Sequence, residues 1–185
     1  MTCLYLIRHA HADWSPDENR PLSSKGRLYA VRLAEVLAGI GISLIISSPA
    51  LRAIQTVQPL ADRLGLTIRT DPRLREREFG QWNAGTFEEA VCRTWEDMDF
   101  AYPNGENNHT AQTRALQALD EILKNHPRDH VLISTHGNLL ALMLRDYLPR
   151  VDFAFWQHLT MPDAYHLEVR DASVIRFSRL WQEET

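Results

Sequence analysis

Cysteine is scarce in this sequence, with only Cys3 and Cys92 among 185 residues. The two are far apart and lack the spacing of a metal site, so we interpret them as free thiols in a reducing cytosol. Excess positive charge is also missing, because the formal net charge is -4. No overall basic field therefore attracts nucleic acid or an anionic membrane, and any anion site must depend on a local cluster of cations.

Long apolar runs and targeting signals are missing as well. No apolar stretch approaches the roughly 18 residues needed to cross a bilayer, and the N-terminus lacks the basic region and apolar core of a signal peptide. The sequence also has no internal repeat and no low-complexity segment. We therefore expect a cytoplasmic protein without a membrane or nucleic-acid partner, in which residues 1–185 form a single domain.

What the sequence does contain is an alternation of short apolar strands and amphipathic helices. The apolar runs predict strands at 3–7, 44–46, 67–70, 131–133, 165–169 and 174–180. The helical spacing of apolar residues predicts helices at about 24–38, 49–64, 86–97, 110–125 and 139–148. Pro59 lies inside the second helix and is expected to kink or split it. This alternation predicts an α/β fold whose mainly parallel central sheet is covered by helices on both faces.

Three strand-to-helix junctions carry residues that suit an anion site. Arg8 and His9 follow the first strand, Arg52 lies one turn beyond the second, and His136 follows the strand at 131–133. The carboxyl ends of parallel strands open on one edge of a sheet, where helix N-termini offer N–H groups and positive dipole ends. This combination predicts a pocket for a compact dianion. Phosphate fits best, because arginine supplies forked donors that are always charged.

Each of these residues also has a purely structural interpretation. A single arginine is usually a surface charge, and a single histidine is often a hydrogen-bonded structural residue, so only their joint occurrence favours a site. His9 and His11 form an alternating pair that is compatible with a metal. However, the chain is expected to turn after His9, and no carboxylate or cysteine near His136 completes a ligand set. We therefore expect no metal and no other cofactor.

The same residues belong to motifs that resemble those of the histidine phosphatase superfamily, branch 1, which includes the cofactor-dependent phosphoglycerate mutases. In chain order the motifs are Arg8-His9-Ala10, residues 47–56, 74–82, 103–106 and 134–138. Five motifs in the family's order are highly specific, and the resemblance extends over nearly the whole chain. It implies a phosphoglycerate mutase-like three-layer sandwich forming one histidine phosphatase domain, with residues 71–108 as a lobe that covers the active site.

The resemblance also implies roles for individual residues. His9 is expected to be the nucleophile that takes the phosphoryl group. Arg8, Arg52 and His136 are expected to hold the phosphate, and His136 also to assist catalysis by neutralising charge in the transition state. Glu76 is expected to protonate the leaving oxygen and then to activate water. These roles describe a metal-independent phosphatase that hydrolyses a small phosphomonoester, or a phosphohistidine.

Several residues keep alternatives open. Glu78 competes with Glu76 as the acid, because an extended segment places both carboxylates on one face. Ala10 stands where the family has glycine, and its methyl group is expected to narrow the floor of the pocket. Ala10 is also the only support for a catalytically weak phosphate-binding module. Arg77 and Asn138 resemble mutase residues and support a phosphoglycerate mutase-like transferase as the alternative enzyme. The segment 20–23, in contrast, resembles the small phosphohistidine phosphatases.

Specificity is expected to depend on residues 81–108. The aromatic residues of this segment either stack on an organic leaving group or pack the lobe; they are Trp82, Phe87, Trp95, Phe100 and Tyr102. Its acidic residues are expected to disfavour highly anionic substrates; they are Glu88, Glu89, Glu96, Asp97 and Asp99. The apolar residues at 153, 155 and 156 belong either to the core or to an interface, so the sequence does not define the oligomeric state.

Overall fold

The computed structural model describes residues 1–15, 17, 19–171 and 173–182. Within these residues the strands are β1 (Thr2–Arg8), β2 (Leu44–Ser47), β3 (Ile68–Thr70), β4 (His130–Thr135), β5 (Asp163–Arg170) and β6 (Ser173–Arg179). They form one sheet in the order β3-β2-β4-β1-β5-β6. The first four strands in this order are mutually parallel, whereas β5 runs antiparallel to β1 and β6 antiparallel to β5. The predicted mainly parallel sheet is confirmed.

Helices cover both faces of this sheet, which confirms the three-layer α/β architecture. They are α1 (Ser24–Leu37), α2 (Leu51–Leu64), α3 (Phe87–Glu96), α4 (Asn108–Asn125), α5 (Gly137–Tyr147) and α6 (Phe153–Gln157). Side chains alternate between the faces along β1. Leu4 and Leu6 pack with α4 and α5, whereas Tyr5 and Ile7 pack with α1 and α2. None of the helices in the described residues is both long and apolar enough to cross a bilayer.

Helix α2 differs from its prediction, and helix α6 was not predicted at all. The predicted split of α2 at Pro59 is wrong, because the helix continues unbroken from Leu51 to Leu64. Val57 and Leu60, on either side of the proline, are buried against the sheet and hold the helix in place. Helix α6 was not predicted, since five residues are too few for helical periodicity to be recognised.

The strand order brings the three predicted junctions together. β4 lies between β2 and β1, with Ser47 opposite Ser134 and Arg8 opposite Thr135. The chain leaves all three strands at the same edge, so the residues that follow them are neighbours in space. Parallel pairing therefore unites residues that are more than a hundred positions apart in the sequence.

The segment 71–108 begins with a 3-10 turn at Pro72–Leu74 and includes α3. Its two ends are joined by backbone hydrogen bonds, from Gln81 N–H to the Pro103 carbonyl (2.9 Å) and from Glu106 N–H to the Glu78 carbonyl (2.7 Å). Residues 76–81 and Phe87 border the cavities at the sheet edge. The division of the chain into one domain with this segment as its lobe stays a prediction.

Gly26 of α1 makes a close approach to the chain that follows β1. A Cβ atom at this position would lie 2.0 Å from the carbonyl oxygen of His11. We predict that Gly26→Ala lowers the free energy of unfolding by about 1–3 kcal/mol, measured by urea denaturation, because α1 must move away from fixed backbone. Gly39→Ala is the control, since its Cβ would meet no atom within 4 Å. Equal effects of the two substitutions would show that the close approach is unimportant.

Candidate active site

His9 is a neutral imidazole whose tautomer follows from its two neighbours. The residue follows β1 and is only 7% exposed. Its Nδ1 lies 2.7 Å from the Ala10 carbonyl oxygen, which can only accept, so Nδ1 carries the proton and donates it. Its Nε2 lies 3.2 Å from Nε of Arg52, which can only donate. The lone pair of His9 is therefore on Nε2, the atom next to the arginine.

Arg52 connects this histidine to the second one. Its Nη2 donates to Nδ1 of His136 at 3.0 Å, so the proton of that ring lies on Nε2, which donates to Ser48 Oγ at 2.8 Å. The two imidazole centroids are 5.2 Å apart, with an interplanar angle of 70°. One turn later in α2, Thr56 Oγ1 donates to the Arg52 carbonyl. One guanidinium therefore determines the tautomers of both predicted histidines.

Burial and nearby cations keep both rings uncharged. Desolvation lowers the pKa of His9 to about 3, against the opposing effect of its hydrogen bond to the backbone, and Arg52, Arg8 and Arg20 lower it further. Desolvation also lowers the pKa of His136 well below the ordinary value of about 6.5, with smaller contributions from His9 and Arg52. Both imidazoles are consequently neutral at neutral pH.

Arg8 places a second guanidinium at the start of α5. Its Nη1 donates to the Leu159 carbonyl at 2.8 Å. Gly137 permits this placement, because a Cβ there would lie 2.9 Å from Arg8 Nε. Burial lowers the pKa of Arg8, and the carboxylates of Glu76 and Asp163 partly oppose that shift. Arg8 Nε is buried and has no hydrogen-bond partner within the described part of the chain, and Arg8 borders the same cavity as His9.

Glu76 lies at the N-terminus of α5, where helix amide groups have no partner within the helix. Its Oε1 accepts from the N–H groups of Arg77 (2.9 Å) and Leu139 (3.0 Å), and its Oε2 from that of Asn138 (3.0 Å). Glu78, in contrast, is exposed. The structure thus places the carboxyl group of Glu76, not that of Glu78, beside the histidines.

A buried hydrogen-bond network supports the start of α5 from the side of α3 and α4. Asn138 accepts from Trp95 Nε1 and donates to Asn108 Oδ1, both at 3.0 Å. Asn108 in turn donates to the Thr94 carbonyl (2.8 Å), and Arg77 Nη2 donates to Thr94 Oγ1 (3.3 Å). Trp95 is therefore a buried packing residue between α3 and α5, and its ring borders neither cavity.

Two adjoining cavities open at this edge of the sheet. The inner cavity, of about 330 Å³, is bordered by all of the predicted site residues, namely Arg8, His9, Arg52, Glu76 and His136. The outer cavity, of about 480 Å³, shares Arg52, Glu76 and His136 with the inner one and extends to Glu78 and Asn104. Three distant motifs and the acidic residue therefore meet around one space.

Arg20 and Arg77 border both cavities and were not among the predicted site residues. Arg20 Nη1 donates to the Ser15 carbonyl at 2.9 Å, and Arg77 stacks on the ring of Phe79 at 4.7 Å. Arg20 lies in a polar loop without periodicity, so its inclusion in the 20–23 motif was the only signal for it. None of the five acidic side chains of residues 81–108 borders either cavity, whereas both arginines do; that this segment disfavours highly anionic substrates stays a prediction.

Ala10 and His11 do not contribute to the cavities. The expected narrowing of the pocket floor by Ala10 is wrong, since its methyl group is fully buried and packs with Leu22 and Ala30 beneath α1. His11 Nδ1 instead contacts the hydroxyl of Ser23 at 2.8 Å.

Among the described residues, no three His, Cys, Asp or Glu side chains are grouped so that they could hold a metal ion. Metal independence stays a prediction.

Comparison with known proteins identifies the family of this chain. The profile of the histidine phosphatase superfamily (branch 1) matches residues 4–173. The chain is 31% identical over 162 residues to "Probable phosphoglycerate mutase GpmB" from Enterobacter sp. (strain 638), covering 80% of this chain and 75% of that protein. It is 30% identical over 161 residues to the glucosyl-3-phosphoglycerate phosphatase of Mycobacterium tuberculosis (strain ATCC 25618 / H37Rv), covering 76% and 72% of the two chains.

A solved structure from a relative has the same fold as this chain. The structure of a mycobacterial glucosyl-3-phosphoglycerate phosphatase complexed with VO3 aligns with a TM-score of 0.80 and 25% identity, over 99% of both chains. The fold and the site thus define an enzyme of the phosphatase and phosphoglycerate mutase-like class. The chain belongs to the histidine phosphatase superfamily, branch 1. The family and the enzyme class predicted from the motifs are confirmed.

The buried neutral histidines predict how stability depends on pH. Unfolded imidazoles take up protons below about pH 6.5, whereas His9 stays neutral in the folded protein to about pH 3. The unfolded state therefore binds more protons in this window, and the free energy of unfolding falls as the pH is lowered, by up to about 1.4 kcal/mol per pH unit for each such histidine. We expect His9→Gln to have a shallower slope, measured by urea denaturation from pH 4 to 7. An unchanged slope would mean that His9 is protonated in the folded protein as readily as in the unfolded one.

Proposed function

We propose that this protein hydrolyses a small phosphomonoester through a covalent phosphohistidine at His9, with Glu76 as the proton donor. The observation that carries this proposal is the state of His9. Its ring is neutral and its lone pair is on Nε2, at a cavity that also contains Arg8, Arg52 and His136. A neutral imidazole nitrogen is a competent nucleophile for phosphorus, and a covalent intermediate divides one difficult step into two easier ones.

In the first step, Nε2 of His9 attacks phosphorus while the bond from phosphorus to the leaving oxygen breaks. Glu76, in its protonated form, gives its proton to that oxygen, and the alcohol departs. The hydrogen bond from Nδ1 to the Ala10 carbonyl stabilises the positive charge that develops on the ring. In the second step, water attacks phosphorus, Glu76 takes the proton from the water, and the P–N bond breaks to release phosphate.

The cations at the inner cavity are suited to the phosphoryl group. Arg8 Nε is a buried donor, and the present acceptors of Arg52 include lone pairs of two neutral rings. Phosphate oxygens are charged and accept more strongly, so we infer that Arg52 turns toward them and releases the lone pair of His9. Together with the Nε2–H of His136, the arginines stabilise the negative charge of the transition state.

The competing function is a phosphoglycerate mutase-like transfer. It is favoured by Arg77, which borders both cavities, and by the name of the Enterobacter relative. The second mutase-like residue gives it no support, because both polar atoms of the Asn138 side chain are bonded within the lobe. Interconversion of 2- and 3-phosphoglycerate in the presence of bisphosphoglycerate would establish the transferase.

We also infer a cytoplasmic location, supported by the unpaired cysteines among the described residues.

The first test of the proposal is turnover of an aryl phosphate in the presence of EDTA. We expect hydrolysis by the unmodified protein and a loss of more than about a thousandfold in His9→Ala, because that variant lacks the nucleophile. His11→Ala is the matched control and should retain most of the activity, since His11 contacts Ser23 instead of the cavities. Turnover that requires a metal, or that survives in His9→Ala, would refute the proposed chemistry.

The role of Glu76 predicts a dependence on the leaving group. In Glu76→Gln, kcat/KM should fall by about 10²–10⁴-fold for an alkyl phosphate, because an alkoxide needs a proton as it leaves. It should fall much less for an aryl phosphate with an acidic phenol, which leaves without one. Glu78→Gln should affect both esters little, since Glu78 is exposed. Equal losses for the two esters in Glu76→Gln would show that this carboxyl is not the acid.

A further inference from the structure

Resting on the proposed function, we propose that the alcohol released is apolar and about the size of an aromatic ring. Several apolar residues border the inner cavity, and we call six of them the apolar wall. It consists of Ala12, Phe79, Phe87, Val91, Trp156 and Met161. A phosphoryl group held by Arg8 and Arg52 places the rest of the substrate beside this wall, so the wall would contact the leaving group.

The apolar wall is assembled from separate parts of the chain. Phe87 and Val91 belong to α3, Trp156 belongs to α6, and Phe79 lies in the segment between β3 and α3. The rings of Phe79 and Phe87 have centroids 5.0 Å apart, and those of Phe87 and Trp156 are 6.4 Å apart. Clustered rings from different elements, next to a few convergent polar groups, are typical of a small-molecule site.

Two of these rings remain accessible although they are large and apolar. Phe87 is 49% exposed and Trp156 is half-buried. The backing of the wall is ordered: Phe153 stacks on Trp156 with centroids 5.5 Å apart, and the Gln157 amide donates to the Glu88 carboxylate, which ties α6 to α3. Exposed apolar surface held in a fixed arrangement is costly unless a ligand covers it. An apolar leaving group would cover it.

A polar leaving group finds few partners at this wall. Hydroxyl groups removed from water need hydrogen bonds, and the six wall residues offer none from their side chains beyond the weak acceptor sulfur of Met161. The polar side chains of Gln81 and Asn104 border the outer cavity instead. Arg20 and Arg77 offer donors at both cavities. In the competing arrangement, esters of glycerol or a sugar would bond to these arginines or to the polar side chains of the outer cavity.

The test compares three primary alkyl phosphates: 2-phenylethyl phosphate, ethyl phosphate and glycerol 3-phosphate. All three release a primary alcohol, so differences in kcat/KM report mainly the contacts of the leaving group. We expect kcat/KM for 2-phenylethyl phosphate to exceed the other two by at least about tenfold. Equal values, or a preference for glycerol 3-phosphate, would overturn the inference while leaving the phosphatase intact. Absence of His9-dependent turnover with every ester would refute the proposed function and this inference with it.

Variants of the wall make the test specific. Phe87→Ala and Trp156→Ala should each reduce the preference for the phenylethyl ester over ethyl phosphate to less than about threefold. Phe100→Ala is the matched control, because Phe100 contacts Tyr102 and Arg93 in the lobe and borders neither cavity. A preference that survives in both wall variants, or that is lost equally in the control, would contradict the inference that the leaving group contacts the apolar wall.

Discussion

The site depends on a guanidinium that donates to two neutral imidazoles. Arginine has no acceptor atom, so Arg52 forces lone pairs onto Nε2 of His9 and Nδ1 of His136. The sheet makes this contact possible, because β4 lies between β1 and β2 and the three chains leave it at one edge. Arg8, Glu76 and the first turn of α5 border the same cavity as this arrangement.

Neutral rings beside several cations are stable only because the site is buried. Desolvation is the largest cause of the low pKa of His9 and of His136, and the surrounding arginines act in the same direction. Arg8 Nε is buried as well and has no hydrogen-bond partner among the residues that the structure describes. In the proposed function, a bound dianion would accept hydrogen bonds from the arginines and would neutralise part of their positive charge. Under the proposed function, the unliganded site is preorganised for a phosphoryl group.

Much of the fold and of the candidate site could be predicted from the sequence, because strands and the residues that follow them are recognised from neighbouring positions. Apolar runs defined the strands, and residues directly after them, such as His9 and His136, had to meet at one edge. Phe87 of the apolar wall was a predicted candidate in a predicted helix, whereas Arg20 and Phe79 come from irregular segments and Trp156 from α6, which is too short for periodicity. The direction of the Ala10 methyl group was predicted wrongly, because it is determined by the packing of α1 and not by the motif. The place of the acidic residues of 81–108 outside both cavities could not be predicted either, since composition does not tell which side chains face a cavity.

The most direct measurement is to trap the intermediate. Glu76→Gln should react with an aryl phosphate, whose phenol needs no proton, but should lack the base that activates water for the second step. The phosphoenzyme should then accumulate, and a quench in alkaline denaturant, in which phosphohistidine survives, followed by peptide mass spectrometry should locate one phosphoryl group on His9. Hydrolysis without a trapped phosphoenzyme, or a phosphoryl group on any other residue, would contradict the account.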